Sequence, residues 1–127
     1  FKFTKNITNN RSIELFNKGN HFRDFTYIDD IIDGVYSLIY KQSKKKIPYE
    51  IYNIGNGNPK KLLEYLKYIE NYLNKAPKIK KKSLQVGDIV KTHSNIKKIK
   101  IYAGYKPKTN INVGIKKFIE WYKEYYN

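Results

Sequence analysis

The sequence predicts an α/β fold, and three observations carry that prediction. Short β-rich runs alternate with longer runs of helical periodicity along all 127 residues. Clusters of Gly, Asn and Pro punctuate them. No internal repeat interrupts the alternation, so a sheet with some parallel pairing is expected. The length suits a single unit, residues 1–127, able to bury roughly two-thirds of the unfolded chain's surface.

Residues 1–10 read as the end of a helix, with Phe3 and Ile7 one turn apart. Residues 13–16 form a short alternating strand closed by the turn Asn17-Lys18-Gly19-Asn20. Residues 25–28 read as a second strand, followed at once by Asp29 and Asp30. Ile32, Val35, Tyr36 and Ile39 then recur at helical spacing behind an Asp N-cap. Residues 49–54 are a third strand, ending in Gly55-Asn56-Gly57-Asn58, and Pro59 suits the first turn of the next helix. Leu62, Leu66, Ile69 and Leu73 form that helix's stripe, and Pro77 ends it. A strand near residues 78–84 leads to a loop with Gly87 and Asp88. Ser94 caps a short helix carrying Ile96, Ile99 and Ala103, which Gly104 and Pro107 stop. Residues 112–126 are a last helix with Ile115, Phe118, Ile119 and Tyr122 on one side.

Charge is the most conspicuous feature of the composition: 26 Lys and Arg against 11 Asp and Glu, a formal +15. A basic module for nucleic acid or anionic polysaccharide is one reading of it. Only Arg11 and Arg23 are arginines, however, and nucleic-acid readers lean on the planar arginine fork. Lys, Asn, Ile and Tyr fill more than half of the chain, and each has a codon built only from A and T. Codon bias explains the lysines better than a polyanion partner does. There is no cysteine, which excludes disulfides and a thiol nucleophile. Neither a long apolar run nor a signal-peptide core is present, so no membrane partner is expected. A first residue of Phe and the lack of Met predict that the chain is a segment of a longer one.

Few positions invite chemistry. Arg23 stands before a predicted strand, where an arginine facing a cleft can clamp a phosphate; the alternative is a surface pair with Asp24. Asp29, Asp30 and Asp33 crowd a helix start, where capping and the helix dipole favour Asp without any catalytic role. The Gly55–Pro59 turn lies between strand and helix, yet it matches neither phosphate-loop pattern. His21 and His93 lack ligand spacing, so no metal site is expected. The two Asn-x-Ser/Thr triplets, at Asn6 and Asn10, reflect asparagine richness, and most of the 13 tyrosines read as edges of the core.

As an ordered set these segments are more specific. Arg23-Asp24-Phe25-Thr26-Tyr27-Ile28-Asp29-Asp30-Ile31 resembles a segment of the NAD-dependent nucleotide-sugar epimerases and dehydratases, the extended short-chain dehydrogenase/reductases. Tyr52-Asn53-Ile54-Gly55-Asn56, Gln85-Val86-Gly87-Asp88, and Gly104-Tyr105-Lys106-Pro107-Lys108-Thr109 with Gly114, Phe118, Trp121 and Tyr122 are similar to later segments of that family. The wording resembles the UDP-glucuronate 4-epimerases of capsule biosynthesis, over the whole chain.

The resemblance implies the C-terminal, substrate-binding portion of an extended Rossmann-like enzyme, without its N-terminal dinucleotide-binding half. It implies a cytoplasmic protein with NAD as the cofactor of the parent enzyme, a UDP-sugar substrate, and a homodimer. Such enzymes use a Tyr-x-x-x-Lys pair, which this chain offers only at Tyr102 and Lys106, across a predicted helix end. No catalytic and no NAD-binding residue is therefore expected here. Substrate-binding roles fall on four positions. Arg23 matches the diphosphate-contacting arginine, Phe16 the residue that packs on uracil, and Asp88 the acid that meets the ribose hydroxyls. Gln85 stands where many relatives carry a second phosphate-binding Arg, and Val86 and Asn95 depart from the usual Pro and Asp.

Overall fold

Alternation is what makes β1 (Ser12–Leu15) a strand: Ile13 and Leu15 are buried while Glu14 faces out. The structure, a computed structural model, describes residues 1–126. In it β1 pairs in parallel with β4 (Lys78–Lys81), Ser12 opposite Lys78 and Leu15 opposite Lys81. All four residues of β4 are exposed, and three of them are lysines. Lysines on an exposed strand discourage edge-to-edge pairing with another chain.

α1 (Lys2–Thr8) lies against β1 and against α3 (Leu62–Leu73), and α3 packs on α5 (Ile111–Tyr126). Ile7, Ile13, Leu15, Leu66, Ile69, Ile115 and Ile119 form the buried cluster where they meet. The stripes predicted for α3 and α5 both point into it, Leu66 and Ile69 from one helix and Ile115 and Ile119 from the other. α4 (Lys97–Ala103) buries Ile99 and ends on Gly104 in the left-handed region, as its sequence foretold.

Five expectations need correction, the last being the third strand expected at residues 49–54. Residues 25–28 are not a strand. Pairing occurs earlier, between β2 (Phe22–Arg23) and β3 (Lys60–Lys61), which are antiparallel. The side chains of Asp24 and Thr26 bind other loops instead of leaving the backbone to a ladder. Secondly, α2 (Ile28–Ile39) is capped by Tyr27, with Asp29 and Asp30 inside its first turn. Thirdly, α3 begins at Leu62 rather than beside Pro59, because Lys60 and Lys61 pair with β2. Fourthly, Ser94 does not cap α4. Its N–H goes to Asp24, and the Asn95 carboxamide oxygen accepts from the Lys97 N–H instead.

Residues 49–54 lie outside any strand of the described chain. Beside them, α2 turns Asp30 and Gly34 inward and its apolar stripe outward. Ile28, Ile32, Val35, Tyr36 and Ile39 are each about half exposed or more, and Ile47, Tyr49 and Ile51 are exposed alongside. Gly34 sets how closely α2 can sit on this segment: a Cβ there would come within 2.8 Å of Ile54 Cγ2.

Candidate functional site

The loop following β4 is stapled to its surroundings at both ends. Lys82 and Ser83 carbonyls accept from the Lys18 and Asn17 N–H groups, and the Lys82 N–H donates to the Leu15 carbonyl. Further along, Phe22 donates to Val90 and Thr92 donates to the Phe22 carbonyl. The turn between β1 and β2 is tight enough to hold Asn17, Lys18 and Gly19 all at positive φ. These ties bring Asp88 over β2.

Asp88 sits between two nitrogen groups. Its Oδ1 accepts from Arg23 Nη2 at 3.1 Å, and its Oδ2 lies 3.0 Å from His21 Nε2 in a close contact rather than an aligned hydrogen bond. Arg23 Nη1 donates to the Phe22 and Val90 carbonyls at 3.0 and 3.3 Å. That occupies three of the five guanidinium N–H donors. The remaining two have no hydrogen-bond partner among the described residues. A cleft of about 400 Å³ opens here, with Phe16, His21, Arg23 and Asp88 in its wall together with Lys2 and Glu14. Phe16, Arg23 and Asp88, three of the four expected site residues, thus share one cleft. Gln85 does not line it: the residue is exposed, and its carbonyl accepts the Asp88 N–H. His21 is the residue that sequence reasoning passed over. It is buried at 2% exposure, and its solitary place in the sequence gave no signal.

The neighbouring acids are scaffold. Asp24 accepts from the N–H groups of Ser94 at 2.8 Å, Gly57 at 3.0 Å and Asn58 at 3.3 Å. Thr26 Oγ1 accepts the Asn56 N–H. Asp30, buried, accepts the Lys108 and Thr109 N–H groups at 2.9 and 3.1 Å. Asp29 and Asp33 are exposed and pair with Lys117 and Lys108. Tyr105 donates its hydroxyl to the Gly55 carbonyl at 2.8 Å, and burial, with Asp30, Asp24 and Asp33 nearby, pushes that hydroxyl up to about 12.

A larger cavity of about 860 Å³ lies away from the cleft, between Tyr40, Glu50, Tyr52, Lys98 and Tyr102. Lys45 and Lys98 both reach Glu50 there, at 2.7 and 2.6 Å, and hold its carboxyl below the usual range. The cleft at Arg23 is the better candidate because it presents donors with no internal partner. The Tyr102 ring stacks on Tyr52 and its hydroxyl donates to the Gln42 carbonyl, while Lys106 is exposed. His93 lies against the Gly57 carbonyl, and the described residues hold no cluster able to take a metal. No helix among them is long and apolar enough to cross a membrane.

Residues 1–55 match the model of the NAD dependent epimerase/dehydratase family. A solved structure, the UDP-glucuronic acid 4-epimerase of Bacillus cereus in complex with UDP-glucuronic acid and NAD, superposes on 98% of this chain and 39% of its own, with a TM-score of 0.85 and 26% identity. The chain is similar to members of this family over nearly its whole length. Protein CapI of Staphylococcus aureus is 39% identical over 99% of this chain and 42% of its own length. UDP-glucuronate 4-epimerase 4 of Arabidopsis thaliana is 37% identical over 100% of the chain and 32% of its own length. The chain therefore spans only about two-fifths, or less, of the relatives it matches.

The family name implies NAD, and the glycine-rich turn that the sequence offers for its phosphates does not fit them. That turn, Gly55 to Asn58, has spent its N–H groups: Asn56 donates to Thr26, and Gly57 and Asn58 donate to Asp24. A phosphate there would face a carboxylate that already holds the donors.

Proposed function

We propose that this chain is the UDP-sugar-binding portion of an NAD-dependent 4-epimerase that interconverts UDP-glucuronate and UDP-galacturonate in surface-polysaccharide synthesis. One observation carries the reading: Arg23 projects a guanidinium with two unpartnered N–H donors into the cleft that also holds Phe16 and Asp88. The likeness to UDP-glucuronate 4-epimerases supports the choice of sugar.

Arg23 binds the diphosphate through its free donors, a planar fork that lysine cannot reproduce. The Asp88 carboxylate accepts from the ribose hydroxyls and Phe16 packs on the base, while Gln85, outside the cleft, holds the Asp88 backbone through its carbonyl. Residues 1–127 act as one substrate-binding unit. NAD and the catalytic groups belong to a dinucleotide-binding portion outside these residues, whose packing would cover the apolar stripe of α2 and the unpaired segment 49–54. The whole enzyme is a homodimer. By itself the chain turns over no nucleotide sugar, and NAD-dependent epimerisation by the purified chain would contradict this.

Isothermal titration tests the binding role. UDP should bind saturably at one site, and Arg23→Ala should weaken it at least tenfold. Failure of UDP to bind, with tight oligonucleotide binding at physiological salt, would support the alternative basic module, whose affinity would fall steeply as salt is raised.

A further inference from the structure

We infer that His21 is a positioning residue for the nucleotide cleft, fixing the rotamer in which Asp88 meets its ligand. The inference rests on the reading of the cleft given above and extends it to a residue for which that reading has no use. His21 is held from both sides of its backbone: its N–H donates to the Gly19 carbonyl at 2.9 Å, and its carbonyl accepts from Leu62 at 2.8 Å. Its side chain is 3% exposed, so the ring has one place to be. The ring puts Nε2 3.0 Å from Asp88 Oδ2, while Arg23 Nη2 holds Oδ1 at 3.1 Å. A carboxylate bonded by Arg23 at one oxygen and abutted by a buried ring at the other cannot rotate freely about its Cβ–Cγ bond.

Each partner contributes something different. Arg23 alone would leave Asp88 free to swing on one oxygen, and Arg23 is also the group expected to engage the ligand's phosphates. His21 is less exposed than either charged partner and stays in place when the guanidinium shifts toward a phosphate. The loop around Asp88 gives it little other support: Gln85, Val86 and Gly87 are all exposed, and a Cβ on Gly87 would meet nothing within 4 Å. His21 thus supplies from the protein interior the rigidity that the loop lacks.

A double-mutant cycle tests this. His21→Leu and Asp88→Asn are made singly and together, with His21→Gln as the conservative variant that keeps an N–H donor. Each is read in thermal unfolding and in UDP affinity. The expected result is that His21→Leu weakens UDP binding about tenfold, that His21→Gln restores it to within about threefold of the parent, and that the loss shrinks to near nothing in the Asp88→Asn background. A His21→Leu protein that melts lower yet binds UDP as the parent does would show a packing role only and overturn the inference. So would a full loss that persists in the double variant. If the parent itself binds no UDP, the reading of the cleft fails. The inference is then judged on the unfolding cycle, where additive effects of the two substitutions overturn it and coupled effects support the contact.

Discussion

Arg23 and Asp24 are neighbours in the chain that take different partners. The guanidinium turns to Asp88 and the cleft, while the carboxylate gathers the N–H groups of Gly57, Asn58 and Ser94. One dipeptide thus separates a ligand-facing function from a scaffold function. The two should be separable experimentally.

Asp24→Ala should destabilise the fold by about 3 kcal/mol, since it strands several backbone donors that a carboxylate now satisfies. Asp24→Asn, which keeps one acceptor, should lose less. Urea unfolding measures both, and a loss under about 1 kcal/mol for the alanine variant would mean that water replaces the carboxylate readily.

Tyr105 ties the 104–109 segment to Gly55. Tyr105→Phe should cost about 1 kcal/mol at neutral pH. The hydroxyl is raised from 10.0 to about 12 on folding, so the folded state favours the neutral form. That stabilisation is complete below pH 10 and is lost as pH rises through 12. The stability gap between the parent and Tyr105→Phe should therefore narrow in alkali; a constant gap across that range would contradict the assignment.

Gly55 is buried where an added Cβ would stand 2.5 Å from Ser94 Cβ and 2.7 Å from its Oγ. Gly55→Ala should cost roughly 1–3 kcal/mol through displacement of the Ser94 backbone. Because Ser94 donates to Asp24, the effect should be non-additive with Asp24→Ala. Additivity in thermal unfolding would argue that the two sites are independent.

The outward stripe of α2 should accept charge. Ile32→Lys with Tyr36→Lys is expected to change stability by less than about 0.5 kcal/mol, while sedimentation velocity shows less self-association of the chain. A loss of several kcal/mol would place those side chains in a packed interior.

Helices with an inward stripe were legible because period and burial agree: Leu66, Ile69, Ile115 and Ile119 all face the core their spacing predicted. The parallel pairing of β1 with β4 matches the strand–helix alternation. The same periodicity read α2 as a helix without revealing that its apolar face would lie outward, since spacing fixes a face and not what covers it. Residues 25–28 misled because Phe, Thr, Tyr and Ile have the composition of a strand, while Thr26 and nearby Asp24 engage loops thirty or more residues away. Arg23, Phe16 and Asp88 were found through ordered motifs. His21 carries no motif, and only the fold sets it beside Asp88.

The cleft joins pieces of chain that are made at very different times. Ser12 pairs with Lys78, and Arg23 meets Asp88, across the whole of α2 and α3. Contacts so distant in sequence close late and slowly, after local helices have formed. During synthesis Arg23 emerges long before its counter-ion does, so a nascent chain that ends within α3 carries the arginine without a pocket around it. The cleft closes only when residues 82–92 have emerged and been stapled to β2. A nucleotide bound there would favour the closed loop over the open chain, so a ligand of the cleft would also be a folding aid.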